Sequence, residues 1–138
     1  MQDIKDYLRR YIPARKYAEL CFRELDRAED VWVRSPKLDG MPRGSGVGGL
    51  DDQVARIEMI RKRAEKARAD VLTMLEEIEG LIDTLSDFDQ KMVVKLRYID
   101  GLTWEEVAQG MNYSLRMIHY IHGKALSELR KHEQEVMG

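Results

Sequence analysis

The chain has 138 residues, and its 23 basic and 25 acidic side chains give a formal net charge of −2. It is therefore not a polycation, and a hydrophobic content of 43% excludes a disordered chain. The one cysteine, Cys21, excludes an internal disulfide framework and a cysteine-based zinc finger. Three prolines and 7% aromatic residues favour helices, so we predict an all-α protein.

The chain offers no apolar run long enough to span a membrane. Its first residues, MQDIKDYLRRYI, are charged throughout and do not resemble a secretory signal. We therefore expect a soluble, cytoplasmic protein with one ordinary domain or two very small ones.

Residues 1–85 carry the pattern of a long helical hairpin. Two segments, at about residues 2–34 and 52–85, repeat apolar or small residues at alternating steps of three and four, which is typical of a coiled-coil seam. Between them, residues 35–51 hold two prolines and a dense run of glycines, a composition that predicts a loop. The seam positions are Ile4, Tyr7, Tyr11, Ala14, Ala18, Cys21, Leu25, Ala28 and Trp32, then Ile57, Ile60, Ala64, Ala67, Val71, Met74, Ile78, Leu81 and Leu85.

Two features of this hairpin leave alternatives open. Pro13 either kinks the first helix or lies in the first turn of a helix that runs from there to Arg34. A two-helix hairpin also buries little apolar surface. We expect it to gain stability by forming a homodimer or higher homo-oligomer, or by packing on the C-terminal part.

Residues 86–138 have shorter predicted helices with sharp ends. Ser86, with Asp89 three residues later, predicts the start of one helix, and Gly101 suits its end. Thr103 and Glu106 then form a predicted capping box at the start of the next.

The following stretch has the pattern of a helix-turn-helix. A helix at 104–111, a turn at 112–113 and a helix at about 115–131 capped by Ser114 are predicted. The inward side chains would be Val107, Ala108, Met111, Ile118, Ile121, Ala125 and Leu129. In such a unit the second helix enters the major groove of DNA.

The outward face of that second helix supplies the candidate DNA-binding residues. Four basic residues and one acidic residue give the helix a local charge of +3, which favours phosphate attraction. Arg116 lies near the helix start, where arginine can pair with guanine. The predicted DNA-binding residues are Ser114, Leu115, Arg116, His119, Tyr120 and Lys124, with possible phosphate contacts from Lys37, Arg43 and Thr103.

The stretch LRYIDGLTWEEVAQGMNYSLRMIHYIHGKALSELR resembles region 4 of bacterial sigma factors. The family motif L-R-x-x-x-G-x-T-x-x-E-[IV]-A begins at Leu96, and the motif A-L-x-x-L-R begins at Ala125. The resemblance covers about residues 88–131. It implies a DNA-binding helix-turn-helix and RNA polymerase as a possible partner.

The whole chain also resembles small phage and prophage regulators of the ArpU type. The segment Gly-Met-Pro-Arg-Gly-Ser-Gly at residues 40–46 matches their hairpin loop. This resemblance implies a transcription regulator acting on double-stranded DNA in the cytoplasm of a bacterial host cell.

Other functions have less support from the residues. The three histidines lack convergent partners, so we expect no metal, and no paired carboxylates or nucleophilic triad suggest an enzyme or a cofactor. The alternative is a protein-interaction module that docks on RNA polymerase or on a phage packaging component, like a small terminase subunit, with little DNA reading of its own.

Overall fold

The computed structural model describes residues 3–34 and 49–137, the last four of these as backbone only. All the regular structure in this part of the chain is helical, which confirms the predicted all-α class. The helices are α1 (Ile4–Arg9), α2 (Tyr11–Arg34), α3 (Leu50–Ile82), α4 (Phe88–Val94), α5 (Trp104–Met111) and α6 (Leu115–Met137), and a π-helical turn (Lys95–Ile99) continues α4.

The first predicted helix is two helices. The chain turns at Arg10, whose backbone N–H reaches back to the carbonyl oxygen of Tyr7 at 3.4 Å. Pro13 then lies in the first turn of α2, where its missing N–H breaks no helical hydrogen bond. The second of the two alternatives for Pro13 is thus confirmed, and a single helix over 2–34 was wrong.

The predicted loop lies mostly outside the described residues. This holds for residues 35–48, and so for Lys37 and Arg43. Leu50 already begins α3, two residues before the predicted start at residue 52.

The end of α3 and the start of α4 also differ from the prediction. Helix α3 ends at Ile82, not at residue 85, because the chain turns there and the Thr84 hydroxyl donates to the carbonyl of Leu81 at 2.6 Å. Asp87, not Ser86, caps α4 and accepts a 2.9 Å hydrogen bond from the backbone N–H of Gln90. A carboxylate also suits the positive end of the helix dipole.

The described residues fall into two compact units. One comprises residues 14–71 and the other residues 3–13 with 72–137. The predicted division into a helical hairpin at residues 1–85 and a helix-turn-helix domain at residues 86–138 stays a proposal.

In unit 14–71, α2 and α3 run antiparallel. The Arg61 guanidinium contacts the Glu29 carboxylate at 2.8 Å, and the Arg68 guanidinium lies 4.6 Å from the centre of the Phe22 ring. The later residue of α2 thus contacts the earlier residue of α3, as antiparallel helices require. The buried side chains of this unit are all seam positions: Ala18, Cys21, Leu25, Ala64, Ala67 and Val71.

In the second unit, α1 packs on α6. Ile4 and Leu8 of α1 are buried, and Asp3 accepts a 3.3 Å contact from the Arg130 guanidinium on α6. The N-terminal residues therefore complete the core of the C-terminal unit. Leu8, which is fully buried, was not among the predicted seam positions.

Leu8→Ala should destabilise this unit by about 2–5 kcal/mol, because it removes buried methyl groups and leaves a cavity. Urea unfolding followed by circular dichroism measures the change. Leu72→Ala is the matched control, since Leu72 is 55% exposed and in the same unit, and it should change stability by about 0.5 kcal/mol or less. Equal losses in the two variants would contradict the packing role of α1.

Candidate nucleic-acid interface

Helices α5 and α6 are held together by a small apolar core. Its buried members come from three helices, and half-buried Leu96, Leu102, Trp104 and Met111 pack around them. The core confirms the predicted inward positions, which the structure buries or, for Met111, half-buries. Its buried members are Val93, Val107, Ala108, Ile118 and Ile121.

The start of α5 is fixed by the predicted capping box. The Thr103 hydroxyl accepts from the backbone N–H of Glu106 at 3.1 Å, and the Glu106 carboxylate accepts from the backbone N–H of Thr103 at 3.0 Å. These hydrogen bonds lower the pKa of Glu106 below its ordinary value, and the bond from the Thr103 backbone has the largest effect. Such caps typically contribute about 1 kcal/mol.

The turn between α5 and α6 is tight and anchored on both sides. Asn112 has left-handed φ and ψ angles of 60° and 40°, which asparagine tolerates better than most residues. The Tyr113 hydroxyl donates to the Asp89 carboxylate at 2.6 Å, which ties the turn to α4 and raises the pKa of Tyr113. Ser114 accepts from the backbone N–H of Met117 at 3.1 Å, so it caps α6 as predicted.

Five of the six predicted DNA-binding residues lie on α6, and the sixth lies directly before it. All of them are exposed, with Leu115 at 41% and Tyr120 at 60%. The Lys124 ammonium lies 5.7 Å from the centre of the Tyr120 ring. Prediction from sequence left out Met117, which is also exposed on the first turn. The residues are Ser114, Leu115, Arg116, His119, Tyr120 and Lys124.

Trp104 lies beneath this outward surface. The Arg97 guanidinium is 4.6 Å from its ring centre, and the rings of His119 and His122 are 5.0 Å and 4.5 Å away. Arg97 also donates to the backbone carbonyl of Leu102 at 2.9 Å. Trp104 therefore packs against the preceding segment and against α6, and its contact with the His119 ring restrains that side chain.

A buried polar pair lies on the inner side of α6. His122 is 7% exposed, and its Nε2 atom shares a 2.7 Å hydrogen bond with the Tyr98 hydroxyl. Burial, with smaller contributions from nearby cations including Lys5, lowers the pKa of His122 to about 4. The imidazole is therefore neutral at pH 7. No sequence signal pairs these two residues, which are 24 positions apart.

The sequence motif around Gly101 lies where the π-helical turn that continues α4 ends. The backbone N–H of Asp100 donates to the backbone carbonyl of Lys95 at 3.0 Å, and the N–H of Leu102 donates to the carbonyl of Leu96 at the same distance. Gly101 has a φ of +75°, and a Cβ there would lie 3.2 Å from the Ile12 side chain. Glycine is favoured here by the backbone conformation, and a Cβ would also press against the Ile12 side chain.

A family model described as Sigma-70, region 4 matches residues 81–131. This segment is similar to sigma region 4. Comparisons with curated proteins and with solved structures found no significant match. The matched segment begins before the predicted boundary at residue 86 and includes the last residues of α3.

Sigma region 4 is a DNA-binding, non-enzymatic helix-turn-helix domain, and the geometry of the sigma region 4-like segment agrees with that class. Among the described residues, no group of three or more His, Cys, Asp or Glu side chains is placed to hold a metal ion. No helix in that part of the chain is long and apolar enough to cross a membrane.

Stability should depend on pH through His122. The unfolded imidazole takes a proton near pH 6.5 and the folded one only near pH 4, so acid favours unfolding. His122 thus contributes stability that is present above pH 6.5 and lost as the pH falls towards 4, by about 2 kcal/mol between pH 7 and pH 5.

Urea unfolding of His122→Gln at the two pH values should show a smaller pH dependence than the wild type. The same dependence in wild type and His122→Gln would refute this account.

Proposed function

We propose that the protein is a sequence-specific DNA-binding transcription regulator of the phage and prophage ArpU type, with α6 inserted in the major groove. The observation that carries this proposal is the exposed side of α6 with Arg116 and Lys124, held on a capped and packed helix-turn-helix. The match of residues 81–131 to sigma region 4 supports the DNA-binding part of this proposal.

The exposed residues divide into two chemical roles. Arg116, on the first turn of α6, would contact base edges, because its guanidinium can pair with guanine O6 and N7. Ser114, Thr103 and Lys124 would contact phosphates, and Lys37 and Arg43 of the loop are proposed to add to them. Leu115 would complete the surface against the groove, and His119 and Tyr120 would contact bases or phosphates.

We also propose that the protein self-associates through unit 14–71. DNA-binding modules commonly dimerise, because two half-sites double the contacts. The buried seam of α2 and α3 contains small side chains such as Ala64 and Ala67, and Tyr17 and Met59 remain exposed outside it at 51% and 60%.

The first test is selection from a random duplex pool at about 150 mM salt, which is near physiological ionic strength. The proposal expects an enriched sequence motif, and an inverted repeat within it would indicate a two-fold dimer. Retention without enrichment would favour a packaging or architectural role. Absence of retention, with a stable complex formed with RNA polymerase, would favour the alternative of a protein-docking module.

Arg116→Ala should weaken binding to the selected duplex by about 1–3 kcal/mol and relax base preference at one position. Fluorescence anisotropy on the selected duplex and on single-base variants of it measures both effects. The control Arg23→Ala removes an exposed arginine of α2 and should leave affinity and preference unchanged. Equal loss on all duplexes would make Arg116 a phosphate contact instead.

A further inference from the structure

Gly123 is a glycine in the interior of α6, on its outward side. It is exposed, whereas Ile121 and Ala125 on either side of it are buried. Glycine weakens a helix interior relative to alanine, because it loses more backbone freedom on folding and has no side chain to pack. The helix would therefore be more stable with another residue at this position.

Nothing within the fold requires glycine at residue 123. A Cβ atom added there meets no atom within 4 Å, and its φ is not in the left-handed region. Gly101 is the contrasting case, since its φ of +75° strains any other side chain and an added Cβ would lie only 3.2 Å from the Ile12 side chain. The missing side chain at 123 leaves the α6 backbone open to an external partner.

The side chains beside Gly123 indicate the chemistry of that partner. Lys124 is the next residue, and its ammonium lies 5.7 Å from the centre of the Tyr120 ring, one helical turn before Gly123. Glu128, the nearby acid on the next turn, contacts Lys131 at 3.4 Å, which offsets its charge. The Lys124 ammonium and the Tyr120 hydroxyl are donors that suit a phosphodiester, which offers anionic acceptor oxygens, and the open space at Gly123 leaves room for it.

We propose that Gly123 is the point of closest approach between α6 and the sugar-phosphate backbone of duplex DNA, with Lys124 and Tyr120 binding the phosphate there. The proposal rests on the proposed DNA-binding function. It assigns a role to Gly123, where the lack of a side chain lets the phosphate approach the helix closely. Because a phosphate contact carries no sequence information, the effect should be similar on all duplexes.

Gly123→Ala in the full chain tests this with two readouts of opposite sign. The melting temperature should rise by a few degrees, because alanine stabilises the helix. Affinity should fall about tenfold or more, by a similar factor for the selected duplex and a mixed-sequence duplex, because the added methyl group holds the phosphate away. In a Lys124→Ala background the same substitution should cause a smaller loss.

Gly80→Ala is the matched control. Gly80 is also an exposed helical glycine with no atom within 4 Å of an added Cβ, but it lies in the last turn of α3. This variant should raise the melting temperature and leave DNA affinity unchanged.

Each other outcome has a distinct meaning. Unchanged affinity in Gly123→Ala, with the wild type binding normally, overturns the inference and leaves the proposed function intact. A loss confined to the selected duplex would overturn the phosphate assignment, and a lower melting temperature would overturn the claim that the fold does not need glycine there. A wild-type protein that binds neither duplex would overturn the proposed function itself.

Discussion

Burial of one side of α6 determines the orientation of its other side. Ile118, Ile121, Ala125 and Leu129 are buried, and α1, α4 and α5 all pack on this helix. Because these positions follow the helical period, the opposite side is exposed at the positions from Arg116 to Glu128. The surface that carries Arg116 is thus presented by a helix whose rotation about its own axis is fixed by packing.

The same helix carries a polar pair on its inner side. The His122–Tyr98 hydrogen bond satisfies two buried groups that would otherwise lose their hydration without compensation. It keeps a neutral imidazole close to Trp104, which in turn contacts His119 on the outer side. A chain of ring contacts therefore connects the buried core to the candidate interface, and the position of His119 depends on it.

The residues of the sigma region 4 motif mostly have structural roles. Gly101 allows the wide turn, Thr103 and Glu106 cap α5, and Ala125 fills the core. These roles define the frame of a DNA-binding domain, so the motif identifies that frame. The outward residues of α6 lie outside the motif, and they would set which sequence is bound.

Sequence alone determined the class of the fold and the local geometry of the helix-turn-helix. The bounds 104–111 of α5, its capping box and the outward placement of Arg116 and Tyr120 follow from hydrogen bonds and periodicity within a few residues. Such features depend on residues only a few positions apart, so the order of side chains is enough to predict them.

Only the tertiary structure decided the contacts between distant parts of the chain. The packing of Leu8 and α1 in the C-terminal unit, the pairing of Tyr98 with His122 and the tie from Tyr113 to Asp89 each join residues far apart in sequence. Local patterns cannot predict them, because an apolar or polar side chain shows that it needs a partner but not which partner folding will supply. The choice of Asp87 over Ser86 as a cap has the same origin, since it depends on where the chain leaves α3.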